Sequence, residues 1–277
     1  MTDLKPLKSV ILCADDFAAH EAASAGIAQL AAQGRLSATS VMVLSPRWAQ
    51  DVAYLKDLRG RIDVGLHLDW TSEFAMAQGH GLSLNAAMRK ALWGGFDPVA
   101  ARAVIERQLD AFEAQWQAPP DYVDGHQHVQ QFAGIRQALV QALVSRYGAQ
   151  GVKPYLRVSR APAGAADLKS RIIAGMGANA LESIATKAQL ACSGALLGVY
   201  DFAGSPARYA QLMAAWLRTA PQHSIIMCHP ARGREPGDAI GLARAQEVAY
   251  LGSAAFSEAL AQAGVQLVRG GDGRLAR

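Results

Sequence analysis

The sequence has few cysteines, and none of them fall in a paired pattern. Only three are present, Cys13, Cys192 and Cys228, and they are far apart along the chain. Two of them lie in apolar, strand-like runs. This usage favours buried thiols in a reducing compartment over a set of disulfides.

Charge and long apolar runs are also limited. Charged residues make up 18% of the chain, the net charge is +4, and no block of five or six like charges occurs, which argues against nucleic-acid binding. The most apolar long stretch, residues 175–200, is interrupted by Glu182 and Lys187 and therefore fails as a membrane span. The first residues lack the apolar core of a signal peptide. We predict a cytoplasmic protein with no membrane span.

What the sequence does have is an alternation of strand-like and helix-like segments. The predicted strands are 10–14, 40–44, 62–68, 122–125, 155–158, 198–202, 224–228 and 265–268. The predicted helices are 21–33, 46–58, 98–117, 135–147, 166–176, 179–191, 206–219 and 243–263. This alternation predicts an α/β fold with mostly parallel strands, a distorted or incomplete (β/α) barrel. We expect one domain over residues 1–277, with a helical insertion at about 166–197.

One segment lacks a clear periodicity in its apolar residues. Residues 71–96 carry four glycines and no helical or strand pattern, so they are predicted to form a long loop after a strand. No Gly-x-Gly-x-x-Gly follows the first strand, which makes nucleotide binding a weak interpretation.

Polar side chains collect at the ends of the predicted strands. They are Asp15 and Asp16 on the first strand, His67 and Asp69 on the third, Asp124, His126 and His128 on the fourth, Arg157 on the fifth and His229 on the seventh. In a parallel barrel these ends share one face, so residues remote in sequence would converge on one site.

One carboxylate and two imidazoles suffice to bind a divalent metal and leave coordination positions open. A second carboxylate beside them could act as a general base, and His229 could donate a proton to a leaving group. Each residue also has a structural interpretation. One aspartate could cap the following helix, His67 could be a core histidine, and Arg157 could simply pair with a carboxylate.

Four short segments resemble, in order and spacing, those of the YdjC-like carbohydrate deacetylases (the ChbG/HpnK family). They are Ala14-Asp15-Asp16-Phe17, Gly65-Leu66-His67-Leu68, Asp124-Gly125-His126-Gln127-His128-Val129 and Met227-Cys228-His229-Pro230. The likeness extends from about residue 9 to residue 268. It includes residues 36–42 and Arg244 with Glu247.

The resemblance implies a distorted (β/α) barrel, one divalent metal ion (Mg²⁺ or Zn²⁺) and hydrolysis of an N-acetyl group on an amino sugar. By motif, the implied metal ligands are Asp16, His67 and His126. Asp15 is implied as the general base and His229 as the general acid or an oxyanion-stabilising group. Arg157 is implied as part of the pocket wall.

Three further residues, His128, Asp124 and Asp69, are assigned to substrate contacts or to supporting positions around the metal. The sequence departs from the family pattern at Ala18, where a glycine is usual, and at Gln130, where a third histidine is usual. Ala133 lies near the position of an expected proline. These departures concern the surface that faces the substrate and suggest a substrate other than a chitooligosaccharide.

Two other functions stay open at this point. One is a metal-dependent barrel hydrolase of another bond, such as a phosphoester, although such sites usually have more ligands. The other is a non-catalytic descendant that binds a glycan. The sequence does not specify the sugar or whether it is lipid-linked. Residues 166–200 could form a lid or a homodimer contact, which are the preferred interpretations, or could approach a lipid-linked substrate.

Overall fold

The structure is a computed structural model, and it describes residues 6–149, 151, 153–162, 168–272 and 275. The strands are β1 (Lys8–Phe17), β2 (Ala38–Val41), β3 (Asp63–Leu68), β4 (Tyr122–Gly125), β5 (Tyr155–Leu156), β6 (Leu196–Leu197), β7 (Ser224–Cys228) and β8 (Val265–Leu267). All of the strand pairs are parallel.

Helices lie between the strands. They are α1 (Glu21–Ala32), α2 (Trp48–Asp51), α3 (Glu73–Ala77), α4 (Leu84–Leu92), α5 (Pro98–Trp116), α6 (Ile135–Tyr147), α7 (Leu168–Gly175), α8 (Ala178–Lys187), α9 (Pro206–Thr219), α10 (Gly241–Leu251) and α11 (Ala254–Ala263). Two 3₁₀ segments, Val52–Leu58 and His126–Gln131, follow α2 and β4.

The strands form one curved sheet in the order β5-β4-β3-β2-β1-β7-β6, with β8 also paired to β1. Two backbone hydrogen bonds bring the sheet edges together, one from β5 to the segment before β6 and one from β6 to the segment after β5. Leu156 N donates to Ala191 O at 2.9 Å, and Leu196 N donates to Arg160 O at 2.7 Å. The predicted distorted, incomplete (β/α) barrel is confirmed.

The sixth strand lies two residues earlier than predicted, at Leu196–Leu197 rather than residues 198–202. Gly198 has a φ of +93°, and a Cβ built there would lie 2.1 Å from the carbonyl oxygen of Met227. The chain therefore turns at Gly198, where only glycine fits, and the strand ends before it.

Two helices occupy the segment predicted to be a long loop. Ser72 caps α3 by accepting hydrogen bonds from Phe74 N and Ala75 N, and Ser83 caps α4 by accepting one from Ala86 N. With five and nine residues, these helices are too short to give a clear period in the sequence.

The last predicted helix, residues 243–263, is two helices. Gly252 ends α10, and the Ser253 side chain caps α11 by accepting a hydrogen bond from Phe256 N. Helices α7 and α8 occupy the range of the predicted insertion. The first two residues of the helix predicted at 166–176 lie outside the described residues.

The core is continuous between the sheet and the surrounding helices. Strand β1 is buried over nine of its ten residues, which agrees with its central place in the sheet. The thiols of Cys13 and Cys228 are buried, as predicted for the strand-like runs, whereas Cys192 is half-buried. No helix in the described part of the chain is long and apolar enough to cross a bilayer.

Candidate active site

The site begins where β1 ends, at Asp15 and Asp16. Asp16 and Ala18 have positive φ angles of 66° and 70°, so the chain turns sharply through the left-handed region. Neither aspartate caps helix α1. That position belongs to His20, whose side chain accepts a hydrogen bond from Ala23 N. Both carboxylates therefore lie at the centre of the barrel face, where they line the cavity.

The three residues predicted as metal ligands come together. Asp16 Oδ1 lies 3.5 Å from His67 Nε2 and 3.2 Å from His126 Nδ1. One donor atom from each residue lies within 4.8 Å of the other two. Asp16 and His67 are buried, and the His126 side chain is 23% exposed, so one side of the cluster is open.

His67 is held from behind by Asp124. Its Nδ1 lies 2.6 Å from Asp124 Oδ1, which directs Nε2 toward Asp16. Burial lowers the pKa of His67, but the Asp124 carboxylate and the bond to Asp16 outweigh it and raise the pKa to about 10. An imidazole braced by a carboxylate on its far nitrogen is a common arrangement at metal sites.

Asp15 is paired with Arg157 through two hydrogen bonds, from Nη1 to Oδ1 at 2.6 Å and from Nη2 to Oδ2 at 2.8 Å. Arg157 also lies 2.9 Å from Asp124. Burial raises the pKa of Asp15, but Arg157, followed by His67, outweighs it and holds that pKa well below its usual range. Arg157 is fully buried beneath the carboxylates, so the expectation that it forms the pocket wall is wrong.

His229 directly follows β7 and approaches Asp15. Its Nε2 is 4.0 Å from Asp15 Oδ2, and its Nδ1 has no partner among the described residues. Burial lowers the pKa of His229 to about 4. The His229 backbone N–H donates to Glu247, which also accepts a 2.6 Å bond from the Tyr200 hydroxyl. Burial raises the pKa of Glu247 to about 7.

Arg244 is a site residue to which sequence reasoning assigned no role. Its Nη2 donates to Asp16 Oδ2 at 2.7 Å, and its Nε donates to Asp238 Oδ2 at 2.8 Å. Burial raises the pKa of Asp16, but Arg244 and the hydrogen bonds from His126 and His67 together hold it well below its usual range. The resemblance had pointed to Arg244 and Glu247, whereas Asp238 gave no signal.

The supporting residues differ in where they lie. Asp124 stands behind His67, whereas His128 lines the cavity and contacts Ser159 Oγ at 3.0 Å through Nδ1. Asp69 is directed away from the cluster and accepts bonds at 3.0 Å from Thr71 N and Ser72 N. Its carboxylate therefore organises the start of α3 and does not line the cavity.

Gln130, in place of the usual third histidine, is also buried. Its Nε2 donates to Arg157 O at 3.1 Å and to Ser159 Oγ at 3.2 Å. It supports the backbone next to Arg157 and does not line the cavity, so this departure does not lie on the surface that faces the cavity.

A cavity of about 730 Å³ opens over these residues. Its polar end holds Asp15, Asp16, His67, His126, His229 and Arg244. The rest of its wall is mostly apolar and includes Leu84, Met88, Phe132, Ile172, Phe202 and Met227. A pocket with a few converging polar groups and an apolar remainder is typical of a small-molecule site.

The donor set fits a divalent cation. One carboxylate oxygen and two imidazole nitrogens converge, and the far nitrogen of His67 is already bonded. A second group, Cys13, Asp15 and Asp124, also lies within 4.8 Å, but Arg157 already supplies the cation beside both of its carboxylates. The first group is therefore the better candidate for a metal.

Two of the solved structures that share this fold match the chain over nearly its whole length. One is a proposed cellobiose-phosphate cleavage protein from Enterococcus faecalis V583, with 18% identity, a TM-score of 0.72 and coverage of 98% of this chain and 100% of that one. The other is the Xyl-CE4 domain of a multidomain xylanase from the hindgut metagenome of Trinervitermes trinervoides. It has 10% identity, a TM-score of 0.53 and coverage of 96% and 89%. At these identities the likeness shows the fold alone.

Sequence comparisons give a family. No curated protein matched the chain. The family model described as YdjC-like protein matches residues 9–262, which include every residue of the polar cluster. The chain therefore belongs to the YdjC-like protein family.

Proposed function

We propose that the protein is a metal-dependent hydrolase that removes the N-acetyl group from an amino sugar or an N-acetylated saccharide. The observation that carries this proposal is the convergence of Asp16, His67 and His126 on one side of an open cavity, with Asp15 adjacent. Membership of the YdjC-like family supports the carbohydrate deacetylase class.

In this proposal Asp16, His67 and His126 hold one divalent ion, Mg²⁺ or Zn²⁺. A bound ion of this kind would acidify a water molecule and polarise the acetyl carbonyl. Asp124 fixes the orientation of His67, and Arg244 holds the second oxygen of Asp16. These contacts hold Asp16 and His67 in position before a metal arrives.

Asp15 is the proposed general base. Arg157 keeps its carboxylate ionised and oriented, so it can accept the proton of the attacking water near neutral pH. Arg157 touches no cavity surface and is therefore a positioning residue.

His229 is proposed to protonate the departing amine or to stabilise the developing oxyanion. Because burial lowers its pKa to about 4, the imidazole is neutral at pH 7 before the reaction. A role as general acid thus requires that it gain a proton during turnover, and Asp15 lies 4.0 Å from its Nε2. A neutral imidazole can also donate a hydrogen bond to an oxyanion without that transfer.

The test is metal analysis of the purified protein, followed by assays across a panel of N-acetylated saccharides. We expect about one divalent ion per chain and release of acetate. Release of phosphate from phosphorylated sugars, without acetate release, would favour the phosphoester hydrolase instead. Saccharide binding with neither metal nor turnover would favour a glycan-binding descendant.

His67→Ala and His126→Ala are expected to lose both the metal and the activity, because each removes one of three protein ligands. Metal content by mass spectrometry and acetate release measure the two effects. The matched control is His223→Asn, outside the site, where asparagine tolerates the left-handed φ of 60°. Full metal content and turnover in either ligand variant would exclude the ligand assignment.

Asp15→Asn is expected to keep the metal and to lower kcat by roughly 10²-fold or more, since an amide cannot accept the proton of the attacking water. Asp57→Asn, at an exposed carboxylate on the 3₁₀ segment Val52–Leu58, is the control and should keep both properties. An unchanged kcat in Asp15→Asn would dismiss this carboxylate as the base.

A further inference from the structure

Helices α4 and α7 both line the cavity and also carry apolar side chains out to the surface. On α4, Leu84 and Met88 line the cavity, and Leu92 follows at the same four-residue interval. On α7, Leu168 and Ile172 are four residues apart and both line the cavity. Residues four apart share a helix face, so each row is continuous between the cavity and the surface.

These surface side chains are large and strongly exposed. Trp93, directly after α4, is 82% exposed, and Leu92 is 65% exposed. On α7, Leu168 is 73% exposed and Ile172 is 49% exposed, and none of that helix is buried. A single exposed leucine needs no explanation, but a group of four beside one cavity indicates an interaction surface.

The charges on the two helices have one sign. Helix α4 carries Arg89 and Lys90, helix α7 carries Lys169 and Arg171, and neither contains an aspartate or glutamate. No ion pair to Arg89 or Arg171 occurs within the part of the chain that the structure describes. Exposed apolar side chains next to cations are the pattern of segments that lie on anionic membranes.

We propose that α4, Trp93 and α7 form a docking surface for an anionic lipid bilayer. Leucine, isoleucine and tryptophan side chains enter the interface between headgroups and acyl chains, and Arg89, Lys90 and Arg171 contact lipid phosphates. The fourth cation, Lys169, lines the cavity and donates to Tyr200 O at 2.6 Å. Because the cavity between the helices is mostly apolar, a substrate with a hydrocarbon part can pass from the bilayer to the polar end without crossing water.

A second copy of the chain is the main alternative occupant. A two-fold dimer through this surface would bring the same cationic helices of both copies together, and like charges across an interface are unfavourable. No carboxylate on either helix offsets that repulsion. Charge complementarity therefore favours the anionic bilayer.

The test is flotation of the full-length protein with vesicles of phosphatidylcholine alone and with phosphatidylglycerol added. We expect binding to the anionic vesicles only, weakening as salt is raised because the charges are screened. Equal binding to both kinds of vesicle, or binding to neither, would overturn the proposal. Sedimentation without lipid detects the alternative, since a dimer that dissociates in Leu92→Ser/Trp93→Ser would assign the surface to a second copy.

Two double variants separate the apolar and electrostatic contributions. Arg89→Gln/Lys90→Gln is expected to weaken vesicle binding roughly 30-fold, from about 1 kcal/mol for each basic residue near an anionic surface. Leu92→Ser/Trp93→Ser is expected to weaken it at least roughly tenfold. The matched controls are Lys56→Gln/Arg218→Gln for charge and Val99→Ser, at a side chain 80% exposed on α5, for apolar exposure. If the control variants lost as much vesicle binding as the two double variants, the proposed docking surface would be wrong.

The inference that a substrate with a hydrocarbon part enters the cavity from the bilayer rests on the proposed function. The expectation that the surface binds anionic vesicles does not. Asp15→Asn, which should lack deacetylation, is expected to bind anionic vesicles as the wild type does. Vesicle binding without acetate release in the wild type would overturn the reaction and keep the surface. Acetate release without vesicle binding would overturn only the surface.

Discussion

At the scale of single residues, Ala18 is unusual because it is fully buried and has a φ of 70°. A residue with a Cβ is strained in this region by about 1–2 kcal/mol, and a glycine is not. We expect Ala18→Gly to leave the free energy of unfolding unchanged or to raise it by up to about 1 kcal/mol, since chain entropy and the lost methyl group offset part of the gain. Urea unfolding measures it.

The matched control for Ala18 is Ala23, which is also fully buried but lies in helix α1. There the same change should lower the free energy of unfolding by about 1 kcal/mol, the usual effect of glycine within a helix. If both variants lost the same stability, the left-handed strain at Ala18 would be absent.

The sequence predicted the members of the polar cluster that follow strands. Asp15, His67 and His126 could be predicted to converge because parallel strands end at one face. Arg244 and Asp238 could not, since they lie on α10 and in the loop before it, where no periodic pattern fixes which way a side chain points. The sequence also predicted Asp69 to face the cavity, because it lies with His67 at the end of the third strand. Its carboxylate instead accepts hydrogen bonds from the turn that follows.

At the scale of elements, the amino ends of β3 and β4 bring two carboxylates together. Asp63 accepts bonds from Gly270 N and Arg269, and Asp121 Oδ2 accepts one from Val64 N at 2.8 Å. Burial, followed by the Asp63 charge, raises the pKa of Asp121 to about 6. The folded chain thus favours the protonated form of Asp121.

Because the folded pKa of Asp121 exceeds its unfolded value near 3.8, its contribution to stability is present below pH 4 and is lost as the pH rises through 6. Asp121→Asn stays neutral and keeps an oxygen for Val64 N. We expect it to match the wild type near pH 4 and to be more stable by roughly 1–2 kcal/mol at pH 7. Unfolding across this pH range measures the difference.

Asp57→Asn, at an exposed carboxylate, is the control for the titration of Asp121 and should follow the wild-type pH dependence. A variant at Asp121 that was less stable than the wild type at pH 7 would mean that the ionised carboxylate stabilises the fold, opposite to the direction of its pKa shift.

The strands were easier to predict than the connections between them. Strands β1 and β7 contain continuous apolar runs, and β1, β3, β4 and β7 are buried along almost their whole length. Strand β6 has two residues, and its end depends on the contact of Gly198 with Met227, which no local pattern contains. Helices α3 and α4 likewise depend on their serine caps and on burial of a few side chains.

At the scale of the whole molecule, the two ends of the barrel differ in how their buried charged side chains are stabilised. The carboxyl ends carry buried charges that need a cation or an exact partner, whereas the amino ends are joined by Asp63 to the chain after β8. Binding of a metal ion at the carboxyl ends should therefore stabilise the entire fold, because the side chains that hold it come from β1, β3 and the segment after β4.

This coupling predicts the thermal behaviour of the protein. A metal at about 100 times its dissociation constant adds about 2.7 kcal/mol, and each kcal/mol raises Tm by about 2–4 °C in a chain of this size. We expect the Tm to rise by roughly 5–10 °C when Zn²⁺ or Mg²⁺ is restored after chelation. His67→Ala should show no rise, and His223→Asn should show all of it. Equal shifts in both variants would place the stabilising ion elsewhere, because a cation held by Asp16, His67 and His126 cannot stabilise a chain that lacks one of these ligands to the same extent.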